Sequence, residues 1–392
     1  MDRRDFLKRA GVGFAALPLS SCVSSLVIKT NTQGTVARLR DLGVVIGSLV
    51  VGRHNAITDV PGVIVGHTTL ISGNGPLVVG SGPVRTGVTA VLPHDRDLVS
   101  NPVPAADWTL NGNGELTGVG PVRRSGLLGA PILFTDTGSV GPVYDGCMQH
   151  LLLRHPNLYS QSIRPEPIVG ETWADFLHDT AGGHVRPEHA IAAINTAKGG
   201  PVAEGCVGGG TGMRAYSFKA GIGTASRIVT LNTAEYTVGV LVQSNHGRRP
   251  QLRVDGVPVG QHIPDLLPES GNVPGSSGHS LLIAIATDAP LMPLQLKRLC
   301  KRATIGMAHT GGISTHGSGD LFIAFSTALD RGRVVHFSHL DRLYQAVVEA
   351  TEESILNSLI AAETVVGRDD NTIHALPLDR FVAVMRRHGR IK

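Results

Sequence analysis

Ser280 stands directly before an apolar run, residues 281–286, that predicts a buried strand. A chain broken before Ser280 would carry a hydroxyl and a free α-amine on the same residue. Such an amine has a pKa of about 7.7–8.0, so it can take the hydroxyl proton as the oxygen attacks a carbonyl. This chemistry needs a loop before the bond and a rigid strand after it. The long polar segment 264–279 predicts that loop, although a serine after a loop is also common for structural reasons.

Ser318 and Asp320 form a second polar pair, at the entrance to the apolar run 321–325. Residues two apart in a strand point to the same side, so this hydroxyl and carboxylate could hold and polarise an amine on Ser280. The same pair also fits a turn that is capped by an aspartate. The residues alone leave both interpretations open.

Other nucleophile and phosphate motifs are weak or missing. The sequence contains neither GxSxG nor SxxK, which excludes the common serine-hydrolase elbow and the β-lactamase pattern. The glycine-rich stretch 205–212 could cradle a phosphate through backbone N–H groups, but it lacks GxxxxGK[ST]. A tight turn with close backbone approach is the favoured interpretation.

Composition limits the class of protein and its partners. Of 392 residues, 42% are hydrophobic and 17% are charged, which is typical of a globular protein. The net charge of +4 is scattered in short pairs such as Arg123–Arg124, so no nucleic-acid partner is expected. The four cysteines form no CxxC and no HExxH occurs, so the sequence indicates neither a disulfide framework nor a zinc site, and the serine chemistry considered above needs no metal or other cofactor.

The elements that must position these residues alternate as short strands and helices, which indicates a layered α+β fold. The predicted strands are 63–71, 86–93, 130–136, 227–233, 236–245, 280–287 and 321–328. The predicted helices are 141–155, 187–198, 293–309 and 340–366. The last helix is expected to carry Glu352 and Glu353 on its polar side and to stop at Gly367. No linker divides the chain into independent domains.

Residues 1–22 have the pattern of an export signal. Arg3–Arg4 begins a twin-arginine pattern, residues 11–19 are apolar but too short to span a bilayer, and Cys22 ends a lipobox-like LSSC. We therefore expect export by the twin-arginine route to the periplasm, with a lipid anchor at Cys22 as the only membrane contact. An ordinary signal cleaved nearby, or an amphipathic N-terminal helix, is the alternative.

Eight stretches of the sequence resemble those of a known family. They lie in the same order as in that family and cover nearly all of about residues 36–380. They are NAITDVPGVIVGHTTLI (55–71), LNGNGELTG (110–118), GETW (170–173), GGGTGMRAYSFKAGIGTASR (208–227), VGVLVQSNHG (238–247), SLLIAIATDAPLMPLQLKRL (280–299), GSGDLFIAFSTA (317–328) and ILNSLIAAETVVGRD (355–369). The chain resembles the L-aminopeptidase/D-esterase (DmpA-type) family, which includes the β-peptidyl aminopeptidases. No single stretch is specific, but together they are.

The resemblance implies a four-layer αββα sandwich, a fold shared with ornithine acetyltransferase. Residues 36–392 would form one hydrolase domain that cleaves itself between His279 and Ser280. The products would be an α chain ending at 279 and a β chain of 280–392. Ser280 matches the family's nucleophile.

The same resemblance assigns roles to five further residues. Asn245 matches the side chain that donates to the oxyanion, and Ser318 with Asp320 matches the pair that orients the α-amine. Glu171 matches an acid that receives the ammonium of the substrate. Trp173 falls where the family carries an aromatic residue that shapes the pocket.

The resemblance thus implies a self-processing serine aminopeptidase. Expected substrates are small peptides and amino-acid amides or esters, including β-amino or D-amino compounds, and the expected assembly is a homo-oligomer, which in this family is often a tetramer. Two alternatives remain at this point. One is an acyltransferase of the ornithine acetyltransferase type. That enzyme uses a threonine nucleophile, so Ser280 disfavours this alternative, and the export signal disfavours it as well. The other is an unprocessed binding protein without catalysis.

Overall fold

The computed structural model describes residues 37–160, 164–270, 279–328 and 334–391. The strands in chain order are β1 (Ile64–Ser72), β2 (Val84–Leu92), β3 (Val103–Gly112), β4 (Leu127–Leu128), β5 (Ile132–Asp136), β6 (Ile168–Thr172), β7 (Arg214–Ala215), β8 (Phe218–Lys219), β9 (Ile222–Leu231), β10 (Ala234–Asn245), β11 (His279–Thr287), β12 (Ser318–Ser326), β13 (Val365–Val366) and β14 (Thr372–Ile373). The helices are α1 (Val119–Ser125), α2 (Val140–Arg154), α3 (Pro187–Asn195), α4 (Val259–His262), α5 (Pro293–His309), α6 (Leu340–Ile360) and α7 (Leu378–Arg387).

Two sheets lie face to face between two layers of helices. One sheet has the strand order β1-β2-β5-β6, and the other has the order β4-β3-β12-β11-β10-β9. Three apolar clusters fill the spaces between layers. The first lies between the larger sheet and the helices α5 and α6, the second lies between the two sheets, and the third lies between the smaller sheet and the helices α2 and α3. The predicted four-layer αββα sandwich is confirmed.

Strand β11 is central in the larger sheet and is buried along nearly its whole length. It pairs antiparallel with β10, which places Asn245 opposite Ser280. It pairs parallel with β12, which places Ser318 opposite His279 and Asp320 opposite Leu281. Because β11 is flanked on both sides, its first residues meet polar side chains of two neighbouring strands.

The last long helix was predicted wrongly in length and in its polar face. Helix α6 ends at Ile360 and not at Val366, which belongs to the short strand β13. Glu352 and Glu353 are buried and not solvated. Arginines from distant parts of the chain pair with Glu353, and such partners leave no trace in the helical period. Strands β3 and β6 and helix α7 were not predicted.

The glycine-rich stretch 205–212 makes a close turn. Gly208–Gly210 is a short 3-10 helix packed between the sheets. A Cβ on Gly209 would lie 2.2 Å from the Gln243 side chain and 2.6 Å from the carbonyl oxygen of Phe134. These contacts agree with the favoured interpretation, in which glycine is needed for close backbone approach.

Predictions for residues 1–22, including the lipobox-like Cys22, lie outside the described residues. Among the described residues, no helix is both long and apolar enough to cross a membrane. Within those same ranges, no group of three or more histidine, cysteine or acidic side chains could hold a metal ion.

Candidate active site

Ser280 lies at the point where β11 enters the sheet, with 4% of its surface exposed. Its Oγ donates to the carbonyl oxygen of His279 over 2.7 Å and accepts from Gly319 N over 3.3 Å. The hydroxyl therefore lies beside the carbonyl of the peptide bond that self-cleavage would break. Gly319 N–H is a backbone donor at the same place.

Ser318 and Asp320 lie on the neighbouring strand β12 and are buried. Ser318 Oγ donates to Asp320 Oδ1 over 2.8 Å, and Ser314 Oγ donates to the other carboxylate oxygen. Burial raises the pKa of Asp320, while hydrogen bonds from Ser314, Ser318 and the Leu281 backbone oppose that shift. The hydroxyl of Ser318 and the carboxylate of Asp320 therefore lie on the same side of strand β12, as their spacing predicted.

Asn245 ends β10 opposite Ser280, and both ends of its amide are held. Its Oδ1 accepts from Arg214 N over 3.0 Å, and its Nδ2 donates to Trp173 O over 3.1 Å. These two bonds fix the direction in which the amide N–H groups of Asn245 point. That arrangement suits a group that stabilises an oxyanion.

Glu171 reaches the site from the other sheet, on β6. Glu115 N donates to its Oε1 over 3.2 Å, and Thr137 Oγ donates to its Oε2. Burial raises the pKa of Glu171, and these two hydrogen bonds oppose the shift. A buried carboxylate of this kind can bind an ammonium group strongly, because little water competes.

Trp173 follows β6 by one residue, and 36% of its surface is exposed. Its backbone carbonyl binds Asn245, so the backbone that carries the indole is fixed relative to the opposite sheet. The pocket-shaping role that the resemblance implies for its side chain stays a prediction.

His279 begins β11 and directly precedes Ser280. Burial lowers the pKa of its imidazole, and the positive charges of Arg214 and Arg248 lower it further. The neighbouring His246 is fully enclosed, which lowers its pKa to about 3. Both imidazoles are therefore neutral near pH 7.

The fold brings Ser280, Asn245, Ser318 and Asp320 to one end of three adjacent strands. The sequence reasoning missed Thr137 and Ser314, which hold the two buried carboxylates, and Arg214, whose backbone holds Asn245. Arg214 lies within the matched stretch 208–227, but Thr137 and Ser314 had no comparable signal.

A model of peptidase family S58 matches residues 55–373. The chain belongs to peptidase family S58. A relative from Sphingosinicella microcystinivorans, a β-peptidyl aminopeptidase called BapA, is 42% identical over 96% of this chain and 98% of its own length. The family resemblance is therefore confirmed.

Solved structures of similar proteins have the same fold. L-aminopeptidase D-Ala-esterase/amidase from Ochrobactrum anthropi, described as a variant of the Ntn hydrolase fold, is 39% identical, with a TM-score of 0.82 over 91% of this chain and 99% of that one. A β-aminopeptidase from Burkholderia sp. is 41% identical, with a TM-score of 0.80 over 90% and 99% of the two chains. This S58 protein is accordingly a hydrolase of the aminopeptidase type, and the acyltransferase and binding-protein alternatives are not favoured.

Proposed function

We propose that the chain activates itself by cutting the bond between His279 and Ser280. Ser280 Oγ attacks the carbonyl carbon of His279, the C–N bond breaks, and the acyl group moves to oxygen while nitrogen takes a proton. Water then hydrolyses the ester, leaving a carboxylate on His279 and a free α-amine on Ser280. The observation that carries this proposal is the 2.7 Å contact between Ser280 Oγ and the His279 carbonyl.

The processed enzyme then acts as a serine aminopeptidase. Ser280 Oγ attacks the carbonyl after the first residue of a substrate, and the Ser280 α-amine takes the proton and returns it to the leaving group. Asn245 and the backbone N–H of Gly319 stabilise the oxyanion. Ser318 and Asp320 orient the α-amine, and water releases the acyl group from the ester.

The substrates are small peptides, amino-acid amides and amino-acid esters. Glu171 receives the free ammonium of the substrate, and Trp173 borders the pocket for the first side chain. Amides and esters share the acyl-enzyme step, which favours activity on both. The names of the relatives, which specify β-peptidyl and D-Ala-ester activities, support testing β-amino and D-amino substrates first.

Export and assembly complete the proposal. The twin-arginine pattern at Arg3–Arg4 directs the folded protein to the periplasm, and Cys22 receives a lipid that anchors it. Replacing both arginines by lysine should leave the protein in the cytoplasmic fraction, and Cys22→Ser should release it from membranes. Unchanged fractionation of either variant would contradict that part. We further propose a homo-oligomer of αβ units, which native mass measurement tests.

The first experiment is the intact mass of the purified protein under denaturing conditions, with N-terminal sequencing. Two chains are expected, the smaller beginning SLLIAIATD. Ser280→Ala should give one uncut chain of about the full mass and should hydrolyse amino-acid anilides at least about 10³-fold more slowly. Ser338→Ala, at an exposed serine, is the control and should behave as wild type. Cleavage or turnover by the Ser280→Ala chain would refute the assignment.

A further inference from the structure

A cavity of about 330 Å³ opens beside the proposed cleavage site, and its lining is basic. The lining residues are Phe176, Arg214, Ser217, Gly247, Arg248, Pro268, Ser270 and His279. Two of these eight carry a permanent positive charge and none has an acidic side chain, so the positive charges still outnumber the one carboxylate that the proposed cut creates on His279. Since His279 directly precedes Ser280, the cavity begins one residue from the proposed nucleophile.

The hairpin β7–β8 fixes Arg214 in this wall. Its two-residue loop is Tyr216–Ser217, with φ of 51° and 60°, the signs of a type I′ turn. Neither residue is glycine, so the loop stores strain that the surroundings must hold. Tyr216 N donates to His246 O over 2.7 Å, and the Arg214 guanidinium lies 4.8 Å from the centre of the Phe176 ring. The Arg214 side chain is therefore carried by a fixed hairpin, and its guanidinium lies against the Phe176 ring.

Arg248 follows the end of β10 and is exposed. Its backbone N–H binds the side chain of Gln251 over 2.8 Å, which fixes the start of its side chain. Both Arg214 and Arg248 lower the pKa of His279, so both positive charges act on the same part of the cavity.

The carboxylates next to the lining residues in sequence have partners of their own. Glu269 lies 2.8 Å from His374, and Asp175 lies 3.0 Å from Arg368. Neither belongs to the lining. These two carboxylates are thus engaged elsewhere, and the two arginines in the lining can attract an anion.

The bonds around Glu171 and around Arg214 lead to different neighbours of β11. Glu171 binds Glu115 N, just beyond the end of β3, and Asn113 N in the same turn binds Ser318 O on β12. Arg214 N binds Asn245 on β10 instead. Since β11 lies between β10 and β12, a substrate centred on Ser280 meets an acidic group on one side and basic groups on the other.

We propose that Arg214 and Arg248 form a carboxylate-binding subsite that selects substrates whose leaving group ends in a free carboxylate. This rests on the proposed function, in which Glu171 holds the ammonium at the other end. A short zwitterionic peptide then spans the site, with its scissile carbonyl at Ser280. Guanidinium groups suit this role because they donate two parallel hydrogen bonds to a carboxylate. The subsite favours dipeptides over the corresponding peptide amides.

The test compares two substrates that differ only in their terminal group, β-alanyl-L-alanine and β-alanyl-L-alaninamide. The processed full-length wild type should hydrolyse the acid with the higher kcat/KM. Arg248→Gln should lower the acid-to-amide ratio of kcat/KM about tenfold, as expected for a lost charge-assisted hydrogen bond. Arg248→Lys should retain part of the ratio, because the charge remains. Arg253→Gln, at an exposed arginine away from the lining, should keep the wild-type ratio.

The outcomes separate the subsite from the function on which it rests. A wild type that hydrolyses neither peptide refutes the proposed function and the subsite with it. A wild type that hydrolyses both with equal kcat/KM, and whose ratio Arg248→Gln does not change, refutes the subsite alone. That second result is also expected if the new carboxylate of His279 occupies the cavity after cleavage. A fall in the ratio for Arg248→Gln, with none for Arg253→Gln, establishes the subsite.

Discussion

Glu171 is a buried acid that must be ionised to bind an ammonium group, yet burial raises its pKa. Thr137 opposes that rise by donating a hydrogen bond to the carboxylate. A bond that is made to the charged form stabilises that form, so its loss should raise the pKa further. The low-pH side of the activity profile therefore depends on a threonine that need not touch the substrate.

We predict that Thr137→Val moves the acidic limb of the kcat/KM profile to higher pH and raises KM more than it lowers kcat. Below the pKa of Glu171 the ammonium loses its partner, so activity falls as pH falls, and a higher pKa makes that fall begin earlier. The profile of a small amide substrate between pH 4 and 9 measures the shift. Thr304→Val, on the exposed side of α5, is the matched control. An acidic limb at the wild-type position would contradict the role of Thr137.

At the scale of elements, α6 is tied to the start of the described chain by buried ion pairs. Glu353 accepts from Arg40 over 2.8 Å and from Arg227 over 2.6 Å, and Arg227 also binds Glu349 over 3.0 Å. Burial alone would raise the pKa of Glu353, but the hydrogen bond from Arg40 and the charges of both arginines bring it below the ordinary value. The helix is thus positioned by charge as well as by its apolar face.

We predict that Glu353→Gln destabilises the protein by about 3–5 kcal/mol, because it leaves the buried Arg227 without a charged partner at that position. Urea unfolding in the Ser280→Ala background, where one chain should unfold, measures the loss. A carboxyl whose pKa is lower in the folded state stabilises the fold at pH values above its pKa in the unfolded state, about 4.3. This stabilisation disappears as the pH falls through its pKa in the folded state. The difference between the two proteins should therefore shrink at acidic pH.

The control for that measurement is Arg380→Gln, which breaks the exposed pair between Arg380 and Asp265. Exposed ion pairs contribute little, so its unfolding midpoint should stay near that of the parent. Equal effects of the two substitutions, or a pH-independent effect of Glu353→Gln, would show that the buried network does not act as described.

For the whole molecule, local patterns predicted seven of the fourteen strands in the described residues and the helices α2, α3 and α5, but could not predict how the layers meet. Spacing alone placed Ser318 and Asp320 on one side of a strand, and the structure agrees. Glu171 comes from the other sheet, over a hundred residues before Ser280. Its place was implied only by the family resemblance, because a contact between sheets has no sequence period. The prediction that Glu352 and Glu353 lie on a solvent-exposed face of α6 was wrong for the same reason, because their partners come from distant parts of the chain.

The topology also predicts that the two chains remain one body after the proposed cut. Strand β11 of the β chain pairs with β10 of the α chain from Val238–Thr287 to Asn245–Ser280, and β12 pairs with β3 of the α chain. Both β-chain strands are buried between α-chain elements and the helices α5 and α6. Cutting one bond at the strand entrance breaks none of these pairs.

We therefore expect the α and β chains to co-elute in size-exclusion chromatography in native buffer and to separate only in denaturant. The apolar clusters that join the chains are those of the folded core, so dissociation requires unfolding. Urea should release both chains in the same transition that abolishes activity. The Ser280→Ala chain should elute at the same native volume as the wild type, since cleavage leaves the pairing intact. Release of the β chain in native buffer would mean that strands β11 and β12 are held less firmly than their burial implies.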